Sequence, residues 1–336
     1  MATRITSAPP TVGPVRRRPA VVSAIIAIAL LAACASSAPA DPAAVASASA
    51  MAAAPAAAGL PAATTTAPAA AAGPTKLLVI VDENEAEVPA LSHMPYLRAL
   101  AHRFGYTTAY HAITHPSLPN YLVMAAGSAF GVTDDASPSA HKIEASTIFD
   151  QPRLVGRRGR VYAESMPTAC GTSYAGRYGP RHNPWVYFTA ASKQSCLAND
   201  VPTGTPASGA FRTDIAAGRL PAVGMLVPDF CDDGHDCSLA TADDYLHSWL
   251  SVIQAGPDWK SGRLVVVVTF DEDDHSDSNR VLTVVLSPQV HGRVVAANLT
   301  HCSITRAAAE ILRVKPLGCG QTAPSLLKAF GLRVPS

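Results

Sequence analysis

Three unbroken apolar runs constrain this chain more than any other feature: Leu77 to Val81, Val223 to Val227 and Leu264 to Val268. A run rich in β-branched residues with no polar alternation has no face to offer to water. Each therefore predicts a strand covered on both sides, as in a parallel sheet flanked by helices. All three end in acid. The first leads into Asp82-Glu83-Asn84, the second into Pro228-Asp229 and then Asp232-Asp233-Gly234-His235, the third into Asp271-Glu272-Asp273-Asp274. Ligands of open α/β sheets bind at the carboxyl ends of the strands, so the three runs bring their carboxylates to one rim. One acidic strand end is ordinary turn chemistry; three on one rim predict a metal site.

A second stretch, Thr114 to Gly127, supplies a different group. Pro116 and Pro119 are excluded from a helix interior but suit a first turn, so a helix is expected to start near Ser117 and run to Ala126. Ser117 then lies where unsatisfied N–H groups and the positive end of the helix dipole converge. Two readings stay open from this stretch: an N-cap, or a hydroxyl poised to become an alkoxide beside a phosphate.

Further helices are expected near Met94 to Arg103, Asp243 to Ile253 and Ile304 to Leu312, and strands near Arg160 to Ala163 and Val281 to Leu286. Thr241 followed by Asp244 has capping-box spacing, with Asp in place of Glu. The stretch from Thr168 to Thr205, rich in Gly, Pro and aromatics, is expected to be an irregular excursion over the sheet. Alternating helix and strand with no internal repeat gives an α/β fold, a three-layer α/β/α sandwich around a mostly parallel sheet, over residues 75–336.

The first quarter of the chain is different. Arg4 and Arg16 to Arg18 precede an apolar run, Val21 to Ala33, too short to span a bilayer and suited to a signal peptide. It ends in Leu31-Ala32-Ala33-Cys34, which resembles a bacterial lipobox, so residues 1–34 read as a signal peptide whose Cys34 would carry a lipid anchor. Residues 35–74, almost all Ala, Pro, Ser and Thr, cannot bury a core and read as a flexible tether. Export, as a cell-surface lipoprotein or secreted protein, agrees with six further cysteines and no metal-type C-x-x-C spacing. Nearest-neighbour pairing joins Cys170 to Cys196, Cys231 to Cys237 and Cys302 to Cys319, although spacing alone permits other connectivities. The formal net charge of +1 and the absence of a Lys/Arg cluster beyond residue 75 argue against nucleic acid as a partner.

Glu83, Asp271 and Glu272 are hard oxygen ligands, Asn84 is a neutral one, and Ser117 has a hydroxyl that a divalent cation would acidify. Carboxylates buried together without a cation would raise one another's pKa, so a divalent metal is the simpler account of the cluster. Asp273 and Asp274 read as a solvated turn. His115, His182, His235 and His301 lie in loops or at element starts, and His182 and His235 have the more polar neighbours.

Taken together, Glu83-Asn84, Thr114-His115-Pro116-Ser117-Leu118-Pro119-Asn120-Tyr121, Arg181-His182-Asn183-Pro184-Trp185-Val186-Tyr187-Phe188, Pro228-Asp229 with Asp233-Gly234-His235-Asp236, Thr269-Phe270-Asp271-Glu272 and His301-Cys302-Ser303 resemble, in order, the motifs of the bacterial phosphoesterase family. That family holds secreted acid phosphatases and non-haemolytic phospholipases C and belongs to the alkaline phosphatase superfamily. The resemblance implies an alkaline phosphatase-like fold, Ser117 as nucleophile, and Glu83, Asn84, Asp271 and Glu272 beside it as metal ligands. Asn120, His115 and His301 would contact substrate, and His182 and His235 would line the phosphate pocket and protonate the leaving group. Asp229 would belong to a second metal site, with Asp232 and Asp233 competing for that role.

The compact length favours an acid phosphatase acting on phosphomonoesters, small or lipid-borne, through a phosphoserine. Two alternatives are a phospholipase C-like diesterase and a non-catalytic lipoprotein that binds a phosphorylated ligand. A metal-independent serine hydrolase is disfavoured, since no Gly-x-Ser-x-Gly elbow occurs and the acidic strand ends would go unexplained.

Overall fold

The three apolar runs lie in adjacent strands of one sheet in a computed structural model, which describes residues 73–189 and 191–335. In chain order the strands are β1 (Lys76–Asp82), β2 (Gly105–Thr107), β3 (Tyr110–His111), β4 (Gly159–Ala163), β5 (Asp200–Pro202), β6 (Val223–Val227), β7 (Leu264–Phe270), β8 (Thr283–Leu286), β9 (Arg293–Val295) and β10 (Leu299–Thr300). The helices are α1 (Glu87–His93), α2 (Pro95–Arg103), α3 (Ser117–Ala126), α4 (Ala191–Asn199), α5 (Ala210–Ala216), α6 (Leu239–Ala255), α7 (Pro257–Lys260), α8 (His301–Leu312) and α9 (Leu326–Ala329). The expected signal peptide, and all of the expected tether but its last two residues, fall outside the described residues.

The large sheet has the order β5-β4-β6-β1-β7-β8-β2-β9, and β3 pairs separately with β10. Its first five strands run parallel, and β8 is antiparallel to both of its neighbours. Strands β6 and β7 are buried at every position and β1 from Leu77 onward, as their sequences require. Each buried Val or Leu contributes about 1.5–3 kcal/mol, which commits these strands to the centre. The helices form two packed groups, α3 with α8 and α9, and α1, α2, α5 and α7 around α6. This is the mostly parallel α/β architecture that the sequence predicts.

Several local expectations need correction. Helix α6 begins a turn earlier than Asp243 and is capped by Ser238, whose Oγ accepts from Thr241 N, so Thr241 is not the cap. Leu239 and Ala240 are good helix formers and let the helix extend back to that serine. Asp243 instead accepts N–H bonds from Tyr96 and Leu97 at 2.8 Å each, serving the N-terminus of α2. Helix α8 starts at His301 with a reciprocal cap between Thr300 and Ser303. The stretch from Thr168 to Thr205 is more ordered than expected, with short 3-10 turns at Pro180–His182 and Pro184–Tyr187, then α4 and the edge strand β5. The three disulfides follow nearest-neighbour pairing.

Candidate active site

Parallel strands place the acidic ends of β1, β6 and β7 side by side. The ladder continues one step past the strands, with Asp271 N donating to Asp82 O at 3.1 Å and Glu83 N to Asp233 O at 2.8 Å. Helix α3 brings Ser117 to the same rim. Pro116 is the N-cap residue and offers no side-chain cap, and the Ser117 hydroxyl donates not to its own helix but to Glu83 Oε2 at 3.1 Å. The N-cap reading of Ser117 is therefore set aside. Gly127 ends α3 in the left-handed conformation, where a Cβ would lie 2.5 Å from Leu317 O.

Glu83 is the hub. It is buried, and its Oε1 accepts from the Tyr121 hydroxyl and lies 3.3 Å from His182 Nε2. Tyr121 stands four residues after Ser117 on the same helix face, the spacing that could have signalled its role in the sequence. One end of the Asn84 carboxamide lies 3.2 Å from both Glu83 Oε2 and Asp271 Oδ1. With nitrogen there it donates two hydrogen bonds; with oxygen there three oxygens converge, which only a cation between them would favour. Asp271 is fully buried and its Oδ2 has no hydrogen-bond partner within the protein. Glu272 accepts from Asn120 Nδ2 at 3.1 Å and lies 3.2 Å from His115 Nδ1.

The electrostatics follow from burial. Glu83 is pushed well above the carboxylate range by loss of water and then by the charges of Asp271 and Asp233. Asp271 is raised by burial and by Glu272, and Glu272 itself is pushed up to about 8 by burial and Asp135. Burial, Arg181 and His235 hold His182 well below the usual histidine range, so it is neutral at pH 7. Its Nδ1 lies 2.9 Å from Asp233 Oδ2. Glu83, His182 and Asp233 form one group able to hold a metal ion.

Other predicted residues take different places. Asp229 turns away from Glu83: its Oδ2 accepts from Ser165 Oγ at 2.7 Å and its Oδ1 from the N–H groups of Cys231 and Asp232, in a separate group with Glu164 and Asp232. Of the competitors, Asp233 is the one beside Glu83. Asn120 is buried with its amide spent on Ile113 N, Thr114 N, Thr114 O and Glu272, so here it shapes the loop before α3. His301 is also buried, its Nδ1 3.1 Å from Tyr110 Oη and its Nε2 2.6 Å from Asp271 O, and it supports the end of β7 from behind. His115 is partly exposed, between Glu272 and Asp273 and stacked on His275. His235 is partly exposed beside His182, with Nδ1 2.7 Å from Asp236 and Nε2 2.9 Å from Arg181. Asp273 is not solvated. It is buried and accepts from the N–H groups of His275, Asp277 and Asn279, organising the turn, whereas Asp274 is exposed.

With this geometry in hand, known proteins bear on the chain. It is 29% identical over 261 residues to a phosphatidylinositol-3-phosphatase of Mycobacterium tuberculosis, covering 76% of this chain and 82% of the relative. An acid phosphatase of Aspergillus fumigatus is 27% identical over 190 residues, where the chain spans 41% of the relative's length. Among solved structures, a protein in the alkaline phosphatase superfamily from Vibrio parahaemolyticus superposes with a TM-score of 0.52 at 12% identity, covering 77% of this chain and 74% of that one. At that identity the likeness concerns the fold alone. The Phosphoesterase family model matches residues 90–315, a span that takes in Ser117, His182, Asp233 and Asp271, and the chain therefore belongs to the phosphoesterase family of hydrolases acting on phosphate esters.

Proposed function

We propose that this chain is an exported, metal-dependent phosphomonoesterase that works through a phosphoserine at Ser117. The observation that carries the reading is the Ser117 hydroxyl, at the N-terminus of a ten-residue helix and 3.1 Å from the buried carboxylate of Glu83. The residues present fit a divalent cation. Asp271 Oδ2 is buried without a partner, Asn84 can turn an oxygen toward Glu83 Oε2 and Asp271 Oδ1, and the surrounding carboxylates repel one another when ionised. Glu83, Asn84, Asp271 and Glu272 would hold the ion, with Ser117 beside it. When bound, a hard cation neutralises these carboxylates and lowers the pKa of a nearby hydroxyl.

The protein's own groups do the rest. The Ser117 hydroxyl, held against Glu83 and acidified by the ion that Glu83 would hold, loses its proton to water, and the α3 N-terminus favours the charge left on Oγ and on the phosphoryl oxygens. Serine Oγ attacks phosphorus, the ester P–O bond breaks, and the departing oxygen takes a proton from water on the side where His235 is exposed. Neutral, buried His182 keeps the loop carrying Asp233 in register with Glu83. Water then hydrolyses the phosphoserine. The names of the mycobacterial and fungal relatives support phosphomonoesters, soluble or lipid-borne, as the substrate class. The three disulfides support export, and a lipid on Cys34 would make the membrane a place of attachment only.

The test is hydrolysis of p-nitrophenyl phosphate against bis-p-nitrophenyl phosphate and phosphatidylcholine, with and without divalent cations. The monoester should have the higher kcat/KM, and EDTA should abolish turnover. A higher kcat/KM for either diester moves the protein to the phospholipase C side of its family; indifference to EDTA removes the metal.

A further inference from the structure

Arg181 opens the Arg181 to Phe188 motif, yet the mechanism above gives it no task. It lies in the 3-10 turn Pro180–His182 and is partly exposed. Its Nε–H donates to His182 Nε2 at 3.2 Å, and its Nη2 lies 2.9 Å from His235 Nε2. The Nδ1 atoms of both rings face carboxylates, Asp233 and Asp236, and His182 Nε2 also lies 3.3 Å from Glu83 Oε1, so the guanidinium meets both rings at Nε2. The plane of the guanidinium is held by stacking, with Cζ 4.3 Å from the centre of the Phe230 ring. Phe230 in turn packs on Gly179, where a Cβ would fall within 1.9 Å of the ring.

A guanidinium keeps its full positive charge, and imidazole nitrogens carry no negative charge to balance it. Among the described residues no carboxylate forms an ion pair with it; Glu83 and Asp135 act on it only through space, and Tyr174 shares its donors. A rigid fork of N–H groups over His182, which itself lies against Glu83, matches two oxygens of a phosphate better than it matches the imidazole nitrogens it now touches.

We propose that Arg181 takes the non-bridging oxygens of the phosphomonoester dianion, and that this contact sets the preference for monoesters over diesters. The inference rests on the phosphatase reading above. A diester offers one charge and has a second substituent in place of one of those oxygens, so it gains less from the fork.

The experiment titrates inorganic phosphate calorimetrically into the full chain and its Arg181→Gln and Arg181→Lys variants, and measures both p-nitrophenyl esters on each. Arg181→Gln should weaken phosphate binding about tenfold to a hundredfold, the usual range for a lost charged hydrogen-bonding group, and lower monoester kcat/KM by a similar factor while the diester falls much less. Arg181→Lys should fall between, retaining the charge without the fork. Unchanged phosphate affinity in Arg181→Gln overturns the proposal, and so does an equal loss for monoester and diester, which would make Arg181 a positioning residue for the histidines. Phenylglyoxal labelling of the unmodified chain provides a readout that survives a misfolded variant: phosphate should protect Arg181 selectively, and equal labelling with and without phosphate overturns the assignment. If the wild-type chain neither binds phosphate nor cleaves the monoester, the phosphatase reading falls as well; if it does both and Arg181→Gln binds equally, only this inference falls.

Discussion

Ser117→Ala removes one oxygen from a buried position and touches little else. The α3 cap does not depend on it, because the N-cap is Pro116 and the Ser117 hydroxyl bonds to Glu83. The structural loss is therefore one hydrogen bond to an acidic partner, worth about 1.5–3 kcal/mol. In a domain of this size that lowers Tm by about 3–12 °C, at roughly 2–4 °C per kcal/mol. If the hydroxyl only oriented Glu83, the same 3 kcal/mol placed entirely in the transition state would lower kcat by about a hundredfold. Loss of a covalent nucleophile should cost far more. The assay is kcat on p-nitrophenyl phosphate, with thermal melting and phosphate calorimetry on the same sample. The expected outcome is turnover below about a hundredth of wild type, with melting and phosphate binding largely retained. A purified, folded Ser117→Ala that keeps more than that fraction refutes a phosphoserine mechanism.

Asp271→Asn and Glu83→Gln should lose bound metal and activity together, while Asp274→Asn, in the exposed part of the turn, does little; full metal occupancy by elemental analysis in Asp271→Asn would sink the site. Asp200 is buried beside Asn183 and pushed up to about 7, mainly by burial. Unfolded, it ionises near 4, so between about pH 4 and 7 the folded chain keeps a proton that the unfolded chain has lost, and stability falls as pH rises. Asp200→Asn should flatten that slope by at most about 4 kcal/mol, three units at 1.36 kcal/mol each, as read by urea melts at pH 4.5 and 7.5; an unchanged slope would assign the pH dependence elsewhere. Replacing Cys231 and Cys237 together by Ala opens a short loop that carries Asp233 and His235. Chain entropy gives a stability loss of about 2 kcal/mol, whereas kcat should fall by more than tenfold; activity falling no further than stability would mean that the loop holds its shape unaided.

What the sequence makes legible here is what short-range pattern controls. Unbroken apolar runs can only be doubly covered strands, so their shared rim follows from topology, and prolines around Ser117 mark a helix start within a residue. Residues whose roles depend on the path of an irregular loop are not legible in this way. Between Asp229 and His235 no periodicity says which acid faces Glu83, and the answer comes from the Glu83 N to Asp233 O bond, a contact 150 positions apart in the chain. Asn120 and His301 carry groups suited to a ligand, but tertiary packing spends them on backbone atoms. Asp273 shows the opposite case, a turn acid whose burial follows from three N–H groups converging on it. The cap of α6 eluded the pattern because Ser238 and Thr241 are both good caps, and only packing chooses between them.

The sheet order has a kinetic consequence. Strand β1 is the first to leave the ribosome, yet its two neighbours are β6 and β7, with Leu77 beside Val223 and Lys76 beside Leu264. Until about two thirds of the chain exists this apolar strand has both edges open, and one edge stays open until Phe270. Pairings between strands so distant in sequence are slow to form, and an unpaired apolar edge invites association with other chains. Chains cut anywhere before Phe270 are thus expected to yield insoluble material rather than a smaller folded unit. Synthesis and folding are separated in time by the topology itself, and the export proposed above would be served by that interval, in which there is nothing yet to unfold.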